Sequence, residues 1–251
     1  MSLHCDVSGQ GEALVLLHGW GLHGGIFATL AAALAKRFRV FVPDLPGFGR
    51  SARAHETTLA DYRIAVARVV PRDAVWLGWS LGALIALDAA QAGLVRKLVL
   101  TGATPCFAAR DDWPHGMPCA TLAAFAADLE RDWRATLDRF LVLNVGGEAQ
   151  ARAVLRALRT QLFEHGEPDA AALRTGLMIL TDTDLRAWLP GITAPALIVQ
   201  GARDRLAYPE AARFLARMLP DATLTLWPDA AHAPFLSAPD AFATAIVEFA
   251  A

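Results

Sequence analysis

The sequence predicts an α/β protein, a mostly parallel, doubly wound sheet carrying an inserted helical lid. Three observations carry this expectation. Short apolar runs alternate with segments of helical period from residue 13 to about residue 101. The alternation stops over residues 110–184, where only helical patterns occur, and it resumes at Ala196. The connections between strands read as helices, which a parallel sheet requires. The expected division is therefore core over 1–109, lid over 110–184 and core again over 185–251.

Each element has its own reason. Ala13–Leu17 is apolar throughout, as a strand buried on both faces must be. It runs into the turn His18-Gly19-Trp20-Gly21. A helix is expected over Ile26–Phe38, with Phe27, Leu30, Leu34 and Phe38 at three-to-four spacing. Arg39–Pro43 is the next strand, followed by the breaker-rich loop Asp44–Ser51. Thr58 caps a helix to Val70. Ala74–Leu77 and Lys97–Thr101 are strands on either side of a helix over Leu81–Ala92. In the lid, helices are expected over Leu122–Leu129, Trp133–Leu143, Gln150–Phe163 and Ala170–Leu180. Ala196–Gly201 and Thr223–Trp227 are the last strands, and Glu210–Met218 and Asp240–Phe249 the last helices.

Composition narrows the class. Of 251 residues, 55% are hydrophobic, enough for one large core, and only 19% are charged, too few for long disordered tails. A formal net charge of −2 gives no reason to expect nucleic acid as a partner. The three cysteines, Cys5, Cys106 and Cys119, form neither a disulfide framework nor a zinc pattern. There is no basic n-region leading into an apolar h-region, and no run of membrane-spanning length. A cytoplasmic monomer without metal, cofactor or membrane attachment is expected.

The chemistry centres on Trp76-Leu77-Gly78-Trp79-Ser80-Leu81-Gly82. This is G-x-S-x-G between a strand and a helix, the context in which a serine is raised at the sheet's edge as a nucleophile. Serine needs a base. Three histidines follow it: His115 between Pro114 and Gly116, His165 at a helix end, and His232. His232 lies between the last strand and last helix, at the catalytic edge, and is the expected base. Asp204 directly follows the strand Ala196–Gly201 and is the expected acid. Asp182 and Asp184 precede that strand, and Asp221 and Asp229 sit at turns. The backbone N–H groups of Trp20 and Leu81 are expected to form the oxyanion hole. Glycines 19 and 21 let the first of these turn inward.

The lid is rich in arginine. Arg131, Arg134, Arg139, Arg152, Arg156 and Arg159 face only Asp132, Asp138 and Glu148 between residues 131 and 160. Arg152, Arg156 and Arg159 share one helix face, with Leu155, Leu158 and Leu162 on the next. Such a face is either merely solvated or a docking surface for an acidic partner.

Several stretches together carry a family resemblance. They are Leu16–Leu22, Asp44–Ser51, Trp76–Gly82, Pro105–Pro114 (PCFAARDDWP) and Ala230–Phe235. The chain resembles the α/β-hydrolases and, among them, the pimeloyl-[acyl-carrier protein] methyl ester esterases of biotin synthesis. The tryptophan-flanked elbow and the Cys-Phe-x-Ala-Arg-Asp-x-Trp-Pro segment are the most specific matches. The resemblance implies cleavage of a carrier-bound methyl ester, with Ser80, Asp204 and His232 as triad and Trp20 and Leu81 at the oxyanion site. It implies substrate contacts at Trp20, Phe140, Leu141, Val142, Leu143, Asn144 and His232, with Asn144 standing where the family has glutamine. It implies docking of the acidic acyl carrier protein at Arg139, Arg152 and Arg156; Ala135 replaces a further family arginine, with Arg134 one position away. A broad carboxylesterase or lactonase, and a non-catalytic ligand-binding member of the same fold, are the alternatives.

Overall fold

A computed structural model describes residues 3–52 and 57–251. Seven strands form one sheet: β1 (Cys5–Ser8), β2 (Glu12–Leu17), β3 (Phe38–Pro43), β4 (Ala74–Trp79), β5 (Val95–Thr101), β6 (Ala196–Gly201) and β7 (Ala222–Trp227). Their order is β1-β3-β2-β4-β5-β6-β7, all parallel except β1, which pairs antiparallel with β3. Helix α1 (Ala28–Leu34) connects β2 to β3, and α2 (Leu59–Ala67) connects β3 back across to β4. These two crossovers run in opposite directions, so right-handed connections place α1 and α2 on opposite faces. Helix α3 (Leu81–Gln91) packs against α2. The strand order reverses direction between β2 and β4, and a crevice opens there at the carboxyl ends. Ser80 and the loop after β2 both lie at that point.

The central strands are apolar because both faces are covered. Every residue of β4 and β6 is buried. Edge strand β7 alternates between half-buried and exposed positions instead. The antiparallel edge strand β1 has no apolar run to announce it; its residues are mostly exposed, and its signal lies in pairing Cys5 with Pro43.

Two expectations are corrected. The helix expected to reach Phe38 ends at Leu34 after a 3₁₀ turn over Gly24–Phe27, because Phe38 opens β3 opposite Glu12. Its spacing fits a helix, but strand pairing decides its use. The helical part of the lid begins at Cys119, not 110. The four lid helices are α4 (Cys119–Arg131), α5 (Trp133–Asn144), α6 (Ala151–Leu162) and α7 (Ala170–Asp182). Residues 105–117 fold against the core instead. The Trp113 indole donates to Cys106 O at 2.8 Å, and its ring packs edge-on against Phe214 of α8 (Pro209–Met218) at 4.9 Å. Helices α9 (Pro234–Ser237) and α10 (Pro239–Ala250) close the chain, α10 against α1.

Candidate active site

The turn from β4 into α3 holds Ser80 at φ 57°, ψ −116°, a region that residues other than glycine rarely occupy. Such strain costs about 1–3 kcal/mol and persists only where neighbours enforce it. Here the Ser80 N–H donates to Thr101 O at 3.2 Å, and Ser80 O accepts from Ala83 N–H at 2.9 Å. The turn also needs a glycine at 82, since a Cβ there would lie 2.2 Å from Leu17 O. The result is a serine at the sheet edge whose hydroxyl caps nothing in its own helix.

His232 Nδ1–H donates to Asp204 Oδ2 at 2.8 Å, and both side chains are fully buried. Asp204 is itself saturated. Its Oδ1 accepts from the N–H groups of Leu206 (2.8 Å) and Ala207 (3.0 Å), and its Oδ2 also accepts from Gln200 Nε2 at 2.7 Å. A buried carboxylate held by this many donors is locked in place and fixes the imidazole tautomer. That tautomer leaves Nε2 as an acceptor. Nε2 is buried and makes no hydrogen bond among the described residues, as a base awaiting a proton should be. Contacts of this kind are often long without substrate and tighten in the complex.

Three neighbours position the imidazole, and none stands out in the sequence for this purpose. The Trp79 indole N–H donates to His232 O at 2.8 Å, from the position just before the nucleophile. Asn144, at the end of α5, accepts from His232 N–H through its backbone at 3.1 Å. Gln200 also donates to Ala207 O at 2.8 Å and accepts from Ala103 N–H at 3.3 Å, linking the acid loop to the loop after β5.

The backbone N–H groups of Trp20 and Leu81 donate to no protein acceptor among the described residues. Both residues are buried next to Ser80. The Trp20 side chain is fixed by its indole N–H on Leu173 O at 2.8 Å, and it passes close to α7 only because position 176 is glycine; a Cβ there would lie 2.6 Å from its ring.

A narrow cavity of about 30 Å³ opens at Ser80, walled by apolar groups including Trp20, Phe107, Phe125, Phe140 and Leu206. That apolar lining suits an acyl chain. Of the other lid residues expected to touch substrate, Leu141 is buried, and Val142 and Leu143 border a separate outer groove between α4 and α5. The Asn144 amide bonds Phe140 O at 2.7 Å.

The lid arginines are divided by their partners. Arg139 pairs with Asp128 at 2.7 Å, and Arg159 clamps Asp138 through two bonds of 2.7 and 2.8 Å. Arg131 pairs with Asp128 and Arg134 with Glu167. Arg152 and Arg156 are exposed and carry no ion pair among the described residues. Also among those residues, no group of three or more His, Cys, Asp or Glu side chains could hold a metal ion, and no helix is long and apolar enough to cross a membrane.

His18 holds the oxyanion loop. Its Nδ1–H donates to Gly19 O at 2.9 Å and its Nε2 accepts from Leu45 N–H at 2.9 Å. Burial pushes its pKa down to about 4. Burial also lowers that of His23, which accepts from Gly25 N–H and donates to Gln161 O of the lid at 2.6 Å. With folded pKa values below the unfolded value near 6.5, the unfolded chain takes up these protons first, so stability falls as pH drops below about 6.5 and levels off near 4 for His18. For His18 this amounts to about 3 kcal/mol over that window. In urea denaturation from pH 7.5 to 4.5, His18→Asn should be less stable than wild type at pH 7.5 but show a shallower acid decline. An unchanged acid slope would refute a neutral His18.

The chain is similar to known proteins over its full length. Residues 14–245 match the alpha/beta hydrolase family. The pimeloyl-[acyl-carrier protein] methyl ester esterase of Nitrosospira multiformis is 40% identical over 259 residues, covering 100% of this chain and 98% of that protein. The protein of the same name from Xanthomonas oryzae pv. oryzae is 44% identical over 251 residues, covering 99% of each. Among solved structures, an esterase from Exiguobacterium antarcticum superposes with a TM-score of 0.90 at 24% identity, over 98% of this chain and 94% of that one. An enol-lactonase from Burkholderia xenovorans gives 0.83 at 23% identity, over 98% and 95%. These last two speak for the fold alone. By full-length kinship, the chain belongs to the alpha/beta hydrolase family and, within it, to the family of the pimeloyl-[acyl-carrier protein] methyl ester esterases.

Proposed function

We propose that the protein is a cytoplasmic serine carboxylesterase that hydrolyses the methyl ester of pimeloyl-[acyl-carrier protein] to pimeloyl-[acyl-carrier protein] and methanol. One observation supports the reading: the buried Asp204–His232 pair is tied to the Ser80 elbow through the Trp79 indole, which donates to His232 O, in a chain with full-length kinship to esterases of that name.

The chemistry follows from the geometry. Ser80 Oγ attacks the ester carbonyl while His232 Nε2 takes its proton. Negative charge develops on the carbonyl oxygen and is met by the N–H groups of Trp20 and Leu81, which have no other acceptor among the described residues. Asp204 stabilises the imidazolium. His232 returns the proton to the departing methoxide, giving methanol and an acyl-enzyme. Water then attacks the acyl carbonyl as His232 takes its proton, the bond to Ser80 Oγ breaks, His232 returns the proton to Oγ, and the free acid departs. The purified protein should release methanol from the carrier-bound ester. Far higher kcat/KM on short soluble esters would support a broad carboxylesterase instead.

The carrier protein is acidic, and Arg152 and Arg156 are the lid cations free to meet it. Arg139 is the weaker candidate, because Asp128 already holds it. Reversing charge with Arg152→Glu and Arg156→Glu should raise KM for the carrier-bound ester by about tenfold and leave p-nitrophenyl butyrate hydrolysis unchanged, since steering charges act on association. Equal loss on both substrates would refute docking at this face.

A further inference from the structure

Ser80 is only 2% exposed. A substrate tethered to a protein must therefore reach it as a thread, through one particular wall of the lid. Two grooves flank α4 from outside. One, of about 420 Å³, lies between α4 and α5, with Ala124, Phe125, Asp128, Arg139 and Val142 along it. The other, of about 520 Å³, lies between α4 and α7 and includes Ala126, Glu130, Met178 and Asp182.

Both grooves share a wall with the cavity at Ser80, but the walls differ. The α4–α7 groove is separated from it by Leu122 and Leu177, which are 5% and 7% exposed and packed into the core. The α4–α5 groove is separated from it by Phe125, a half-buried ring that borders both spaces. Phe125 meets Phe140 edge-on at 6.4 Å, and Phe140 meets Trp20 edge-on at 5.0 Å. A file of rings thus runs from the groove to the oxyanion loop. Rotating one half-exposed ring disturbs less packing than displacing two buried leucines.

Charge points the same way. The α4–α7 groove carries Glu130 and Asp182 against Arg174, and Arg174 already faces Glu130 at 3.5 Å. Its exposed Met178 offers apolar surface, but its acidic edge opposes an acidic carrier. In the α4–α5 groove Arg139 and Asp128 neutralise each other, and the free Arg152 and Arg156 stand on α6, the helix after α5. Val142, 45% exposed, offers apolar contact along this groove.

We infer that the acyl chain of a carrier-bound ester reaches Ser80 between α4 and α5, with Phe125 as the gate that swings to admit it. This rests on the carrier-bound reading above. Ala124 and Ala126 provide a matched test, being exposed alanines on the same helix, one in each groove. Ala124→Trp should lower kcat/KM for the carrier-bound methyl ester by about tenfold or more, and Ala126→Trp should leave it within about twofold. Thermal melts check that both variants are folded. The reverse order, equal losses, or no loss in either variant would overturn the route. If the wild type fails to turn over the carrier-bound ester, the proposed function falls. The same ordering is then required with p-nitrophenyl hexanoate, and its absence would overturn the route separately.

Discussion

Ser80→Ala should lower kcat for p-nitrophenyl butyrate by about 10³-fold or more and eliminate the acyl-enzyme burst, while leaving the melting temperature unchanged. The two halves of this expectation have separate causes. The Ser80 hydroxyl makes no capping bond to α3, so removing it costs the fold little. Its removal leaves His232 with nothing to deprotonate. The strain at φ 57° belongs to the backbone, and alanine inherits it. Glycine does not. Ser80→Gly should therefore be equally inactive but more stable by about 1 kcal/mol, equivalent to about 2–4 °C in a chain of this size. Stability gained together with lost activity would mark the turn as strained for the sake of the nucleophile. A folded, pure Ser80→Ala protein that retains wild-type hydrolysis would end the assignment of Ser80.

How much of this was legible in the sequence depended on the range of the constraint. The elbow is local: a sharp strand-to-helix turn demands small residues at fixed offsets, so Gly78-Trp79-Ser80-Leu81-Gly82 announces itself. His232 and Asp204 are readable at one remove, because loops after parallel strands open at one edge and chain order fixes which partner follows which. The residues that hold them are not readable in this way. Trp79 and His232 are 153 positions apart, and nothing near Trp79 says that its indole grips a backbone carbonyl there. Gly176 looks like a blemish in a helix until Trp20 is seen to pass beside it. Arg139 and Arg152 look alike in sequence, and only folding pairs one with Asp128 and leaves the other free. The lid's start is misread for a related reason. Trp113 ends up against α8, a tertiary choice that local periodicity does not encode.

Asp204→Asn should reduce kcat by about 10³–10⁴-fold with only a modest effect on KM, because it changes a tautomer and not a pocket. The hydrogen bonds dictate how the new amide must sit. Leu206 and Ala207 both donate N–H groups to Oδ1, so the amide oxygen is retained on that side. The NH₂ group must then face His232 Nδ1 and Gln200 Nε2, where Oδ2 now accepts from both. His232 can keep a hydrogen bond only by accepting at Nδ1, which moves its proton to Nε2 and leaves no lone pair for the Ser80 proton. Gln200, whose Oε1 is engaged with Ala103 and whose Nε2 also bonds Ala207 O, would have a donor facing a donor. That adds about 1–3 kcal/mol of destabilisation, visible as a lower urea midpoint. Gln200→Leu in the Asp204→Asn background should recover part of that stability and none of the activity. Recovery of both would show that the loss came from loop distortion and not from the orientation of the His232 proton.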